Sequence, residues 1–160
     1  MGGAVKNAAL AEMEELIRAK LEEGGKVTFS PKGKSMLPML RSEGDSVTLV
    51  KPPARLKRGT VALFISKTGE DKAYILHRLV RIENGRYFFC GDNRTETDEP
   101  VGYGDIIGVV SDYESRGRKR SVKEPWYRLY SCWMVATSGF RRGSLRFQRT
   151  VLRIRKKLKG

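Results

Sequence analysis

A serine, a histidine and an aspartate occur in an order and in local settings that suit acyl-transfer chemistry. Ser35 lies in the segment GKSMLP (33–38), His77 lies in a strand-like run, and Asp98 follows the segment GDN (91–93). A serine hydroxyl needs a base, and histidine, with an ordinary pKa of about 6.5, is a suitable proton acceptor. A carboxylate on the second ring nitrogen would fix the tautomer. The three residues can therefore supply a nucleophile, a base and an orienting group.

The orienting carboxylate has alternatives nearby. Glu96 and Glu99 flank Asp98, and Asp92 lies in the preceding segment. We predict that Asp92 mainly forms a turn by bonding nearby backbone N–H groups. From residue types alone, the choice among these acids stays open.

The predicted elements bring the base and the acids together. A helix is predicted over 7–23, because apolar residues recur there at helical spacing before two glycines. Alternating apolar runs predict strands over 26–30, 46–51, 60–66, 73–83, 86–90 and 105–113. Asn84-Gly85 predicts a two-residue hairpin between 73–83 and 86–90. That hairpin carries His77 on one strand and Asp98 in the loop after the other.

Four segments carry a family resemblance. The segment GKSMLPML (33–40) followed by Gly44-Asp45 resembles the serine box of the signal peptidase and LexA-type superfamily, and LHRLV (76–80) resembles its second box. Histidine in this second box is similar to the endoplasmic-reticulum and sporulation-type signal peptidases. The segment GDNRTETD (91–98) resembles the third box, and DIIGVV (105–110) the strand that follows. The likeness covers roughly residues 27–110.

The resemblance implies roles for residues around the triad of Ser35, His77 and Asp98. Around the nucleophile it implies substrate-binding or oxyanion positions at Gly33, Lys34, Met36 and Pro38, although Met36 and Pro38 fit a tight turn packed on the core equally well. Supporting positions are Arg78 and Asp92. For Arg78, an ion pair near the site and a solvated strand position are equally compatible with the sequence.

Three features depart from the family pattern. Gly33 stands where signal peptidases usually place a serine that helps to hold the oxyanion, so backbone N–H groups would carry that task. Met39 replaces the common threonine of the serine box. The sequence has neither the apolar run of about 18–20 residues that a membrane span needs nor a visible signal peptide.

Charge is concentrated near the C-terminus. Residues 116–160 contain fifteen Lys and Arg and a single acid, Glu124, and so carry a net charge of +14. The whole chain has the same net charge, so residues 1–115 are neutral overall. Aromatic residues in 126–140 and the basic residues beyond them predict contact with an anionic membrane surface through 126–158, with nucleic acid as a less favoured partner. Cys90 and Cys132 have no metal-site spacing, and His77 is the only histidine. We therefore expect no metal and no cofactor.

Together these features predict a mainly β protein, with the twisted antiparallel fold of the signal peptidase and LexA type. We expect an N-terminal helix over 1–25, a peptidase core over 26–113 and a basic helical extension over 114–160, with helices at about 125–138 and 144–158. The expected activity is a serine endopeptidase that cleaves a leader or preprotein segment, in the cytoplasm or peripherally at a membrane. The alternatives are a repressor-type autoprotease and an inactive peptidase-fold module whose basic tail binds nucleic acid.

Overall fold

Seven antiparallel strands form one sheet. One helix precedes the strands in the chain and another follows them. The structure, a computed structural model, describes residues 2–42, 44–68 and 71–139. The strand order is β1-β2-β6-β3-β4-β5, and β7 pairs with β6. The prediction of a mainly antiparallel β protein with an N-terminal helix is confirmed. The elements are α1 (Gly2–Glu22), β1 (Val27–Phe29), β2 (Ser46–Val50), β3 (Val61–Thr68), β4 (Asp71–Glu83), β5 (Arg86–Cys90), β6 (Ile106–Ser115), β7 (Arg118–Ser121) and α2 (125–139).

The segment 114–123 corrects the sequence prediction. It was expected to begin the basic helical extension, but β6 continues to Ser115 and β7 returns beside it, with Ser115 opposite Arg118. The turn between them has Arg116 at φ 55° and Gly117 at φ 71°, close to the values of 49° and 72° at Asn84-Gly85. Arginine is uncommon in this left-handed region, which is why the turn was not recognised from the sequence. The expected boundary at 113/114 therefore falls inside a strand.

The sheet separates two apolar clusters. Val61 and Leu63 of β3 belong to one cluster, and Ala62 and Phe64 belong to the other, as the two-residue period of a strand requires. On the first side, α1 crosses β6 where Gly108 leaves room for Leu21. A Cβ at Gly108 would lie 2.8 Å from Leu21 Cδ1, so a side chain there would force the Leu21 side chain to shift.

Helix α2 packs on the same side as α1 and is part of the folded unit. Its buried residues recur at helical spacing and join the body of the protein; they are Tyr127, Ser131, Met134 and Ser138. The prediction of a helix from Pro125 to about Ser138 agrees with the structure. The helix predicted over 144–158 lies outside the described residues. No helix among those described is long and apolar enough to cross a membrane.

Candidate active site

The serine loop is anchored to the core by residues on either side of Ser35. Gly33 adopts φ +98°, a value that favours glycine, and Met36 and Leu40 are buried in the first apolar cluster. A hydrogen bond from Leu40 N to Met36 O, at 2.9 Å, closes the turn. Ser35 itself is half-buried. The loop therefore presents Ser35 at the surface while its apolar neighbours fix the backbone.

His77 lies on β4 where β5 ends. Arg78 pairs with Cys90, the last residue of β5, so the chain leaving β5 passes directly beside His77. The ring is buried and its Nδ1 lies 2.5 Å from Asp98 Oδ2. A carboxylate on Nδ1 favours the tautomer with the proton on that nitrogen, which leaves Nε2 as an acceptor. The contact agrees with the hairpin argument, and it selects Asp98 among the candidate acids.

Two residues after β5 bring the serine loop and His77 together. An added Cβ at Gly91 would lie 2.6 Å from Ser35 O and 3.0 Å from His77 Nε2, so only glycine fits at this point. Asn93 donates its backbone N–H to Ser35 O at 2.8 Å and its side-chain amide to Lys34 O at 3.2 Å. The motif that contains both residues does not by itself predict this role for them. Their signal was the glycine before a turn-forming pair.

Ser35 and His77 face a common space. They line a cavity of about 610 Å³ beneath α1. The backbone carbonyl oxygen of Ser35 and His77 Nε2 both lie within 3.0 Å of one position, the one that a Cβ at Gly91 would occupy. Among the hydrogen bonds of the described residues, none joins Ser35 to His77. Apo sites often lack that bond until substrate is present.

The cavity is mostly apolar and extends from the candidate triad to α1. Of the residues predicted to contact substrate, Gly33 and Met36 line it, whereas Lys34 and Pro38 are exposed and do not. No site role is predicted from the sequence for the other apolar wall residues, which come from α1, β1, β3 and β4. They include Met13, Ile17, Val27, Phe29, Leu63 and Leu76.

Arg78 and Asp92 form an ion pair next to the candidate triad. Each side chain is 1% exposed, and the guanidinium donates from Nε and Nη2 to the two carboxylate oxygens at 2.7 Å each. Burial alone would lower the pKa of Arg78, but the bonds to Asp92 outweigh it and raise that pKa above its ordinary value. Of the two interpretations of Arg78, the structure therefore selects the ion pair. Asp92 binds this buried cation, which goes beyond the turn-forming role predicted for it.

Helix α2 completes the environment of this ion pair. Arg78 Nη1 donates to Tyr127 Oη at 3.1 Å and to Ser131 Oγ at 2.9 Å, and Tyr130 donates its hydroxyl to Asp92 at 2.8 Å. Burial is the main reason that the pKa of Tyr130 is raised, and the negative charge of Asp92 raises it further, so the hydroxyl stays a donor. The sequence predicts a membrane-facing surface for the aromatic residues of this segment, but Tyr127 and Tyr130 bind the buried ion pair instead. The spacing of four residues between Tyr127 and Ser131, which places both on one face of a helix, was the missed signal.

Asp45 ties the end of the serine loop to the β6–β7 turn. Its fully buried carboxylate accepts hydrogen bonds from Arg41 N at 2.8 Å, Ser115 Oγ at 2.8 Å and Arg116 N at 3.1 Å. Burial alone would raise the pKa of Asp45, but these bonds and one from the Arg41 side chain lower it to about 2. The ionised carboxylate thus holds two loops in place.

Within the described ranges, no group of three or more His, Cys, Asp or Glu side chains is arranged to hold a metal ion. Cys90 is buried and Cys132 is exposed, and neither is in a disulfide. Comparisons of the chain with family models, with curated proteins and with solved structures find no match.

Proposed function

We propose that the protein is a serine endopeptidase in which Ser35 is the nucleophile, His77 the general base and Asp98 the orienting carboxylate. The observation that carries this proposal is the contact between the buried His77 ring and Asp98, which leaves Nε2 beside the serine loop at the cavity. A buried histidine with one nitrogen held by a carboxylate is prepared to accept a proton at the other.

The proposed reaction has two stages. Ser35 Oγ attacks the scissile carbonyl carbon while its proton passes to His77 Nε2, and the C–N bond then breaks as His77 returns the proton to the departing amine. Water next attacks the Ser35 ester, with His77 again as base, and releases the carboxylic acid and free Ser35. Asp98 stabilises the imidazolium in both stages. The net change is one peptide bond hydrolysed by one water molecule.

Backbone N–H groups of the serine loop are the proposed oxyanion donors. Gly33 has no side-chain hydroxyl to offer, and its φ of +98° shapes the turn immediately before Ser35. Losing one such donor costs about 10²–10³ in rate in other proteases. We therefore expect slower turnover than in an enzyme with an additional serine donor.

The proposed substrate is an extended peptide, such as a leader or preprotein segment, with an apolar side chain in the cavity. The finer proposal for the fold is the signal peptidase and LexA type, supported by the three sequence boxes and by their convergence at Gly91 and His77. The resemblance implies small residues near the scissile bond. The space beside Ser35, at about 610 Å³, is large enough for a bigger side chain.

Labelling with a fluorophosphonate probe tests the proposal. The probe forms a covalent bond with an activated serine, so intact-mass measurement should find one adduct, located at Ser35. Ser35→Ala should abolish labelling, and Ser30→Ala, an exposed serine outside the cavity lining, should keep it. Absence of an adduct on the folded protein would favour the inactive peptidase-fold alternative.

A further inference from the structure

The outer face of α2 carries three large apolar side chains that the protein leaves in solvent. Trp126 is 70% exposed, Leu129 62% and Trp133 60%. Their spacing of three and four residues places them in one stripe along the helix. We call these three residues the outer stripe. Scattered apolar residues on a surface are ordinary, but a row containing both tryptophans of the chain indicates a contact surface.

The protein cannot bury the outer stripe by turning α2. The adjoining, inward face is fixed by Tyr127 and Ser131, which bind Arg78, and by Tyr130, which binds Asp92. Rolling the helix would break these buried hydrogen bonds, so the Arg78–Asp92 pair would lose the partners that α2 supplies. The outer stripe is therefore held outward by the polar network beneath it.

Basic residues predominate in the sequence on either side of the outer stripe. Arg128 lies between Trp126 and Leu129 and is exposed, as are Lys123 and, on β7, Arg118 and Lys119. In sequence, residues 140–160 add nine Lys and Arg and no acid. Tryptophan beside exposed cations suits the headgroup region of a membrane, where the rings are partly dehydrated and the cations meet anionic lipid.

We propose that the outer stripe docks the protein on the surface of an anionic phospholipid bilayer. The two indole rings and Leu129 would enter the headgroup region, with the basic residues on lipid phosphates. A second copy of the chain is a poorer occupant, because two strongly cationic surfaces would repel each other. Nucleic acid would use the cations but leaves Leu129 without a role. This surface is independent of the proposed peptidase activity.

Tryptophan fluorescence of the full chain tests the docking directly, because Trp126 and Trp133 are the only tryptophans. Vesicles of phosphatidylglycerol mixed with phosphatidylcholine should shift the emission to shorter wavelength, and brominated lipids should quench it. Pure phosphatidylcholine vesicles should have little effect, and added salt should reverse the binding. An unchanged emission, or equal shifts with both vesicle types, would overturn the proposal.

A matched pair of variants separates the outer stripe from apolar surface in general. Leu129→Ser keeps both tryptophans and should weaken vesicle binding by roughly tenfold in co-sedimentation. Leu16→Ser, on α1 and 71% exposed, should bind like the unmodified protein. Equal losses in the two variants would refute the assignment to α2. Dimerisation or nucleic-acid binding that depends on Leu129, in a protein that does not bind vesicles, would also refute the proposal.

Discussion

Arg78 and Asp92 meet through two hydrogen bonds of 2.7 Å, and each follows a residue that contacts the candidate site. His77 precedes Arg78 on β4, and Gly91 precedes Asp92 after β5. Successive strand residues point to opposite sides, so Arg78 and His77 leave β4 on opposite faces. The ion pair holds β4 to the 91–93 turn at Asp92, and the same turn approaches His77 at Gly91. A structural cross-link thus lies directly behind the proposed base.

Removing one partner of this pair should destabilise the fold strongly. Asp92→Asn leaves the Arg78 charge buried without its carboxylate, and we expect a loss of about 3–5 kcal/mol in the free energy of unfolding. Urea denaturation measures it. Glu83→Gln is the matched control, because the Arg81–Glu83 pair is about half exposed and should contribute less than about 1 kcal/mol. Similar losses in both variants would contradict the buried role of Asp92.

Gly91→Ala should disturb the site by steric contact alone. The new methyl group would lie 2.6 Å from a backbone oxygen, Ser35 O, which cannot move as freely as a side-chain end. We expect a stability loss of about 1–3 kcal/mol and a larger relative loss of fluorophosphonate labelling. Gly104→Ala is the control, since nothing lies within 4 Å of its added Cβ. Normal labelling of Gly91→Ala would mean that the two loops are not closely coupled.

Much of the sheet could be predicted from the sequence because its signals are local. The Asn84-Gly85 turn and the alternation in β4 and β5 determine the hairpin, and the hairpin brings Asp98 to His77. The contacts of α2 could not be predicted in this way. Nothing local to Tyr127 or Ser131 indicates that an arginine about fifty residues earlier in the chain is their partner. The turn at Arg116 was missed because a non-glycine residue adopts a positive φ there.

Asp98→Asn should remove most activity, while Glu96→Gln should remove little. An amide on Nδ1 stabilises the wrong tautomer or fails to stabilise the imidazolium, and the same change in another serine protease costs on the order of 10⁴ in kcat. Glu96 is exposed, whereas the Asp98 side chain is 10% exposed and contacts His77. The rate of fluorophosphonate labelling measures both variants. The opposite ranking would assign the orienting role to Glu96.

The cavity should determine which side chain the substrate presents. If an apolar substrate side chain enters it, peptides with leucine at the preferred position should be cleaved with roughly tenfold higher kcat/KM than those with alanine. Met13→Glu, which places a charge on the cavity wall, should reduce that ratio. Leu16→Glu lies on the same helix outside the lining and should leave it unchanged. A preference for alanine would favour the small-residue specificity that the resemblance implies.

Asp45 should make stability depend on pH in the acid range. Its folded pKa of about 2 is below the ordinary 3.8, so the carboxylate stabilises the fold above pH 3.8 and loses that effect as the pH falls through 2. The difference in pKa corresponds to about 2 kcal/mol at neutral pH.

Asp45→Asn should therefore lower the free energy of unfolding by about 2 kcal/mol at pH 7, and the gap to the unmodified protein should narrow as the pH falls below 3.8. Urea denaturation at a series of pH values measures this gap, with Asp112→Asn, at a side chain that is 44% exposed, as a control for general charge effects. A gap that stays constant down to pH 2 would mean that the ionised carboxylate contributes nothing beyond its shape.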